Sequence, residues 1–258
     1  MAEVMLTLGT KRKIDYELAE AKEVIAGYAF GREKLQWTAE KPIPDWAGKP
    51  LPADLERFVF SYMTYDNIRP LPGAIRVEEV LLTAGVESQI SSRGANAVMA
   101  MCDLITPDLV ALGAGRKFWE MNGPLLAMPP PAGGPEHHLW RAWKLLEAPK
   151  WSGPAVAHKI LHHKLPGHVP LVDSKIVAIY GVKDTWLGIW RDLNDHAEDF
   201  AYLEEWFAGL AGSRGCEPLT RLRLIDILLW TDQSATKDKE PNRKIAQRLG
   251  ETLLSQRN

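Results

Sequence analysis

Residues 151–181 read WSGPAVAHKILHHKLPGHVPLVDSKIVAIYG, and this segment carries the strongest evidence for the fold of the chain. The Gly-Pro pair at 153–154 predicts a turn that opens a helix, because glycine accepts positive φ and proline is favoured at the first helical position. The Leu-Pro-Gly sequence at 165–167 ends that helix, since proline restricts the residue before it. The apolar run VPLV at 169–172 then delivers Asp173 to the start of a second helix.

This order of elements resembles the helix-hairpin-helix and following aspartate of the endonuclease III-like DNA glycosylase superfamily. There a Gly-apolar-Gly hairpin opens a helix, and a Val-Asp-(Thr/Ser) sequence follows. Gly153 matches the second hairpin glycine and Asp173 matches the catalytic aspartate. Three positions depart from the pattern: Trp151 replaces the first glycine, Ala155 replaces the Schiff-base lysine of the lyase-competent members, and Lys175 stands where a histidine is common.

The resemblance implies an all-α helix-hairpin-helix bundle of two lobes that binds DNA, as a duplex with a flipped base. It implies a monofunctional base-excision activity, in which Asp173 stabilises the sugar oxocarbenium or orients the attacking water. No Schiff base is expected, because Ala155 replaces the lysine. Residues 164–173 (KLPGHVPLVD) also resemble a domain family of unknown function with a Lys-x-Pro-x-x-x-Pro-x-x-Asp core, which supports a fold and no chemistry.

Composition narrows the class of protein and its partners. The 258 residues are 46% apolar and 25% charged, as in ordinary globular proteins. A net charge of -2 argues against a chain coated in nucleic acid, while leaving room for a local basic face. Two cysteines are too few for the four-cysteine iron–sulfur cluster of some glycosylases. We expect a cytoplasmic protein with no membrane partner and no cofactor, and leave open a monovalent cation at the hairpin.

Apolar periodicity predicts helices throughout the chain and no alternating strands, so the predicted class is all-α. The four prolines of residues 41–52 predict a surface connection. We therefore divide the chain into an N-terminal extension with this connection (1–52) and a helical body (53–258) with the hairpin motif at 139–181. Prolines and glycines in residues 121–136 predict a lobe boundary or a mobile loop. Helices are predicted over residues 14–30, 53–65, 76–84, 93–104, 106–112, 135–146, 186–193, 200–210, 219–230 and 241–256.

Asp173 is the candidate catalytic residue, and it has two interpretations. A carboxylate near C1′ can stabilise an oxocarbenium-like sugar or orient water. An aspartate at this position can also simply cap the following helix. The two roles are compatible.

The hairpin and the following helix carry the predicted nucleic-acid face. Residues 141–175 hold six Lys or Arg residues against two acids, a local excess in a chain of net charge -2. The alternative is a basic but merely solvated helix face. His158 and His162, one turn apart, have a spacing suited to a metal, but no third ligand is evident and no metal site is predicted. The predicted nucleic-acid-binding residues are Gly153, Lys159, Lys164, Lys175, His158 and His162.

Tryptophans near the motif are candidates for holding a flipped base. Trp140 and Trp151 are the candidates for this pocket, whereas Trp143 lies at core spacing in its helix. A different class of function remains open: a non-catalytic nucleic-acid-binding or protein-interaction module that keeps the fold without the chemistry.

Overall fold

The computed structural model describes residues 5–34, 56–86, 90–126, 129–149, 153–235 and 240–256. Most of this part of the chain is helical, which confirms the coarse class expected from the 3.6-residue periodicity. The helices are α1 (Leu18–Phe30), α2 (Val77–Leu82), α3 (Ser92–Gly113), α4 (Pro135–Glu147), α5 (Pro154–Lys164), α6 (Ser174–Tyr180), α7 (Thr185–Asp195), α8 (Ala197–Gly212), α9 (Arg221–Gln233) and α10 (Asn242–Ser255).

Two short antiparallel strand pairs accompany the helices, so the expectation of no strands is wrong. Strand β1 (Met5–Leu8) pairs with β2 (Ile14–Glu17), and β3 (Arg32–Lys34) pairs with β4 (Glu56–Phe58). The first strand pair alternates buried and outward side chains, as a strand of period two should. The buried set is Leu6, Leu8, Ile14 and Tyr16. The helix predicted over 14–30 consequently begins at residue 18.

Two further helix predictions are corrected. The described part of 53–65 contains β4 and a single 3-10 turn at Tyr62–Thr64 instead of a helix. The helices predicted over 93–104 and 106–112 are one helix, α3, with Pro107 inside it. The Thr106 hydroxyl donates to the carbonyl of Cys102 at 2.8 Å and therefore caps no new helix.

Helix α3 has 22 residues, and its length and composition alone would permit it to cross a membrane. Buried helices of other proteins meet the same criterion. Here one face of α3 packs against α4, where Arg141 and His138 bind its buried Asp108 at 3.0 and 2.8 Å. We therefore describe α3 as part of the helical core.

The two ends of the described chain meet in the core. Helices α1 and α10 cross so closely that a Cβ on Gly250 would lie 1.8 Å from the carbonyl oxygen of Glu23. Residues 18–30 thus share one core with the helical body. The connection predicted at 41–52 lies outside the described residues, and the boundary at residue 52 stays a prediction.

The lobe boundary expected within 121–136 also stays a prediction. The start of this segment packs on α7, where the Trp190 indole donates to the carbonyl of Met121 at 3.0 Å. Gly123 lies directly beneath the same indole ring.

Candidate functional site

Helices α4 and α5 form the two arms around the predicted hairpin. Gly153 caps the N-terminus of α5 with φ of -86°, an extended conformation open to any residue. Trp151, at the position of the first hairpin glycine, lies outside the described residues. The turn that would hold a monovalent cation therefore stays a prediction.

Two buried histidines of α5 hold the extended segment that leads to Asp173. His158 Nδ1 lies 3.0 Å from the carbonyl oxygen of Pro170, and His162 Nδ1 lies 2.7 Å from that of Val169. A carbonyl only accepts, so both Nδ1 atoms carry the proton and donate. Burial lowers the pKa of His158 to about 4 and that of His162 to about 3, so both rings are neutral at pH 7.

Asp173 caps helix α6 and also faces solvent. Its Oδ1 accepts from the backbone N–H groups of Lys175 at 2.9 Å and Ile176 at 3.1 Å. The side chain is half-buried, because it lies at a cleft. The predicted cap is thus present and leaves the carboxylate accessible.

This outer cleft has a volume of about 760 Å³, within the range of small-ligand sites. The first turns of α5 and α6 form its floor, so that Gly153, Ala155 and Asp173 line the same space. Its apolar walls include three indole rings, those of Trp143, Trp186 and Trp230.

A second, smaller space adjoins the outer cleft at Asp173. This inner chamber has a volume of about 290 Å³ and shares Asp173, Lys159 and Trp230 with the outer cleft. One wall is aromatic, since Tyr28 and Phe60 stack with ring centroids 5.1 Å apart. Asp173 therefore stands at the boundary between an indole-lined cleft and an aromatic chamber.

Next to the aromatic rings, the inner chamber is lined by Arg223 and Asp226, which belong to a buried charge network. The Arg223 guanidinium donates to both oxygens of Asp66, at 2.7 and 2.9 Å, to Oδ2 of Asp226, and to the Tyr28 hydroxyl at 2.7 Å. The other oxygen of Asp226, Oδ1, has no hydrogen-bond partner among the described residues. Burial raises the pKa of Asp226 to about 7, the Arg223 charge opposes this shift, and the charges of Asp173 and Asp66 add to it.

Sequence reasoning missed this network. Its members come from α1, from residue 66 and from α9, and only Arg223 and Asp226 are near one another in sequence. An Arg and an Asp three residues apart within the apolar helix RLRLIDILLW were the available signal, because charged side chains are rarely fully buried unless paired.

The lysines predicted to face nucleic acid occupy different environments. Lys164 is buried, and its Nζ contacts Glu79 at 3.0 Å. Lys159 is also buried, with Nζ donating to the carbonyl of Val86. Lys175 lies at the rim of the outer cleft, with Nζ 4.8 Å from the centre of the Trp230 ring. The structure thus brings Gly153 and Lys175 to the cleft surface. Lys159 and His158 are buried but still line the cleft wall, whereas Lys164 and His162 are buried outside it.

The tryptophan predictions need a similar correction. Trp140 packs against His137, with ring centroids 6.1 Å apart, and does not line the outer cleft. Trp143 packs against the core, as assigned, and also lines the cleft, where its ring centre lies 5.4 Å from that of His158 and 5.6 Å from that of Trp186. Its indole Nε1 is buried and has no partner among the described residues.

Within the described ranges, no cluster of three or more His, Cys, Asp or Glu side chains could hold a metal ion. The two cysteines in the sequence are both free thiols. The polar side chains that line the site include the carboxylates of Asp173 and Asp226 and the amines of Lys159 and Lys175.

Residues 120–233 match the model of a family of unknown function, DUF6308. The matched segment contains both arms of the hairpin, Asp173, and Asp226 on α9. No curated protein and no solved structure matches the chain.

Proposed function

We propose that the protein binds DNA and releases a damaged or non-canonical base as a monofunctional glycosylase of the helix-hairpin-helix type. The observation that carries the proposal is the position of Asp173. Its carboxylate is fixed at a helix N-terminus and opens into a cleft whose floor also includes Gly153 and Ala155. These three residues occupy the positions that match the hairpin glycine, the Schiff-base lysine and the catalytic aspartate of endonuclease III-like glycosylases. Their placement around the outer cleft supports the proposed base-excision activity.

The chemistry follows from the charge on Asp173. As the bond between the base and C1′ breaks, positive charge develops on the sugar, and a fixed carboxylate in a partly dry cleft stabilises it. The same carboxylate can orient a water molecule toward C1′ and accept its proton. Ala155 offers no amine at the position of the Schiff-base lysine, and the amine of Lys159 is bound to the carbonyl of Val86, so water is the expected nucleophile.

Aromatic rings suit the handling of an extruded base. Bases taken out of the stack are held between aromatic and apolar side chains. The outer cleft supplies Trp143, Trp186 and Trp230, and the inner chamber behind Asp173 supplies Tyr28 and Phe60. We assign the outer cleft to the sugar and its neighbours and the inner chamber to the base.

Cationic groups near the cleft suit the phosphate backbone. Lys175 is at the rim, and the exposed Lys183 follows α6. The exposed Lys11 docks on the end of α6, where its N–H donates to the carbonyl of Ile179 at 2.9 Å. Its side chain lies against Gly181, whose φ of 93° favours glycine. These lysines replace the buried Lys159 and Lys164 in our account of DNA binding.

One observation favours the alternative of a non-catalytic binding module. Asp173 makes two hydrogen bonds to its own helix, and an N-cap role alone would account for its position. The two functions differ in whether a base is released, so the test is a measurement of excision.

The test incubates the wild-type protein with duplexes that each carry one uracil, hypoxanthine, oxidised or alkylated base. We expect strand breaks at one or more of these bases only after treatment with alkali, because water attack leaves an intact abasic strand. DNA affinity should weaken as salt rises. Breaks without alkali would contradict the monofunctional assignment. Salt-sensitive binding with no excision from any duplex would establish the binding module instead.

A further inference from the structure

A second carboxyl group lies next to Asp173, in the inner chamber. Asp226 is buried and lines that chamber, and its Oδ2 accepts from Arg223. Its Oδ1 has no hydrogen-bond partner among the described residues. Buried polar atoms nearly always have a partner, so this buried oxygen of a chamber-lining residue needs one, and a molecule that enters the chamber could supply it.

The hydrogen-bond geometry decides where a proton on this group must lie. Oδ2 accepts from the Arg223 guanidinium, which cannot itself accept a hydrogen bond. In the acid form, the proton of Asp226 is therefore on Oδ1, the atom without a partner. Such a group is a hydrogen-bond donor and a proton source for a molecule in the inner chamber.

We propose that Asp226 is the general acid of this site and protonates the departing base, while Asp173 faces the sugar. This inference rests on the proposed base-excision function. The bond between C1′ and the base nitrogen breaks, and its electron pair goes to the base. The base takes the proton from Asp226 Oδ1, water forms the new bond to C1′, and Asp173 accepts the proton that water loses. Solvent then returns Asp226 to its acid form and Asp173 to its carboxylate form.

The charges around Asp226 fit this role. Burial and the negative charges of Asp173 and Asp66 raise the pKa of Asp226 to about 7, against the opposing charge of Arg223. A substantial fraction of the group is therefore protonated at neutral pH, which is the condition for an efficient general acid. Asp226 thus fits the acid role in a pair of carboxyl groups, as in other enzymes that use two such groups in different environments. The other titratable groups around the Arg223 network and the chamber are Tyr28, Tyr65, Lys159, His162 and His163.

The proposal defines a substrate class. A neutral base such as uracil or hypoxanthine would leave as an anion, and protonation makes it a better leaving group. A base alkylated on a ring nitrogen already carries a positive charge and leaves as a neutral molecule. Asp226 is therefore required for release of neutral bases and dispensable for cationic ones.

The experiment compares the wild type with Asp226→Asn on duplexes that carry uracil, hypoxanthine or 7-methylguanine. Asn retains the shape and can still accept from Arg223, but it cannot transfer a proton. For the neutral bases we expect a loss of about 10²- to 10⁴-fold in single-turnover rate, and for 7-methylguanine little change. The wild-type rate on neutral bases should fall as pH rises through about 7, and this fall should be absent from Asp226→Asn. Asp226→Glu should restore part of the rate and the pH dependence.

Asp192→Asn is the matched control. Asp192 is another buried carboxyl with its pKa raised by burial, but it binds the Tyr180 hydroxyl and the Gly9 N–H, away from both cavities. A loss shared by Asp192→Asn, or an equal loss on neutral and cationic bases, would show a structural role and overturn the inference. An unchanged rate in Asp226→Asn would also overturn it.

A readout independent of excision separates this inference from the proposed function. The carboxylic acid stretch of Asp226 is identified in the infrared spectrum as the band that Asp226→Asn removes near neutral pH. Free hypoxanthine should shift this band if the chamber binds a base through Oδ1. If the wild type releases no base and the band shifts, the excision function fails and the base-binding role of Asp226 stands. If the infrared spectrum shows no such band, or if free hypoxanthine does not shift it, the assignment of Asp226 as the general acid fails, whether or not the wild type releases a base.

Discussion

At the scale of single residues, the largest difference from expectation concerns the lysines of α5. Lys159 and Lys164 were assigned to a nucleic-acid face from the local excess of Lys and Arg, but both are buried, and a buried charge is costly without a partner. For Lys164 that partner is Glu79, 85 residues away in the sequence, at a distance of 3.0 Å. No spacing rule links residues so far apart. The position of Asp173 at the N-cap of α6 was predictable, because it depends only on neighbouring residues in the sequence.

Because Lys164 and Glu79 form a buried ion pair, removing the lysine should destabilise the protein far more than removing a surface lysine would. We expect Lys164→Met to lower the free energy of unfolding by about 3–5 kcal/mol, because Glu79 would be left buried without a cation. Adding Glu79→Gln should recover part of this loss. The measurement is urea unfolding followed by circular dichroism.

Arg248→Met is the control for Lys164→Met. Arg248 binds Glu240 at 3.1 Å, but both side chains are largely exposed. Exposed pairs contribute about 0–1 kcal/mol, so this change should have a small effect. Equal effects of the two substitutions would contradict the buried assignment of Lys164.

At the scale of elements, apolar periodicity was sufficient to find most helices and insufficient for short strands. Strand β1 has only four residues, too few to stand out from a helical pattern by period alone. Pro107 caused the opposite error, because it led us to predict two helices where the structure has the single helix α3. A proline usually ends a helix, but the rest of α3 holds together through its packing on α4.

The buried His162 of α5 makes the free energy of unfolding depend on pH. The pKa of His162 is lowered by burial to about 3, from an ordinary value of 6.5. Between these values the unfolded chain binds a proton that the folded chain does not, so the contribution of His162 to stability is present above pH 6.5 and is lost as pH falls toward 3.

We expect His162→Asn to fold, since Asn can donate to the carbonyl of Val169 as His162 Nδ1 does. The variant should lose stability less steeply than the wild type between pH 6.5 and 4, by up to about 1.4 kcal/mol per pH unit. Urea unfolding at several pH values gives the two slopes. Parallel slopes would mean that His162 is accessible and titrates normally in the folded protein.

At the scale of the whole molecule, the candidate site is assembled from distant parts of the chain. Tyr28 comes from α1, which packs on α10, whereas Asp173 follows the hairpin and Asp226 lies on α9. The sequence could place Asp173 at a helix start, but it could not show that α1 and α9 close a chamber behind it. That information resides in tertiary packing, of which close contacts such as Gly27 with Ala246 are one part.

The local basic excess of residues 141–175 has acidic partners outside the segment. Arg141 pairs with Asp108, and Lys164 pairs with Glu79. The composition of the segment therefore overstated its exposed charge. DNA binding in our account depends on the few lysines at the cleft rim and on the shape of the cleft.

The most direct test of the central claim is the rate of base release by Asp173→Asn relative to the wild type. Asn caps a helix nearly as well as Asp, so we expect folding and DNA affinity to be retained. It supplies no negative charge to the sugar, and the rate on the best substrate should fall by about 10²- to 10³-fold. Thermal unfolding and a binding titration on the same preparation serve as controls. Base release at the wild-type rate, with fold and affinity intact, would show that Asp173 is only a helix cap and would contradict the account.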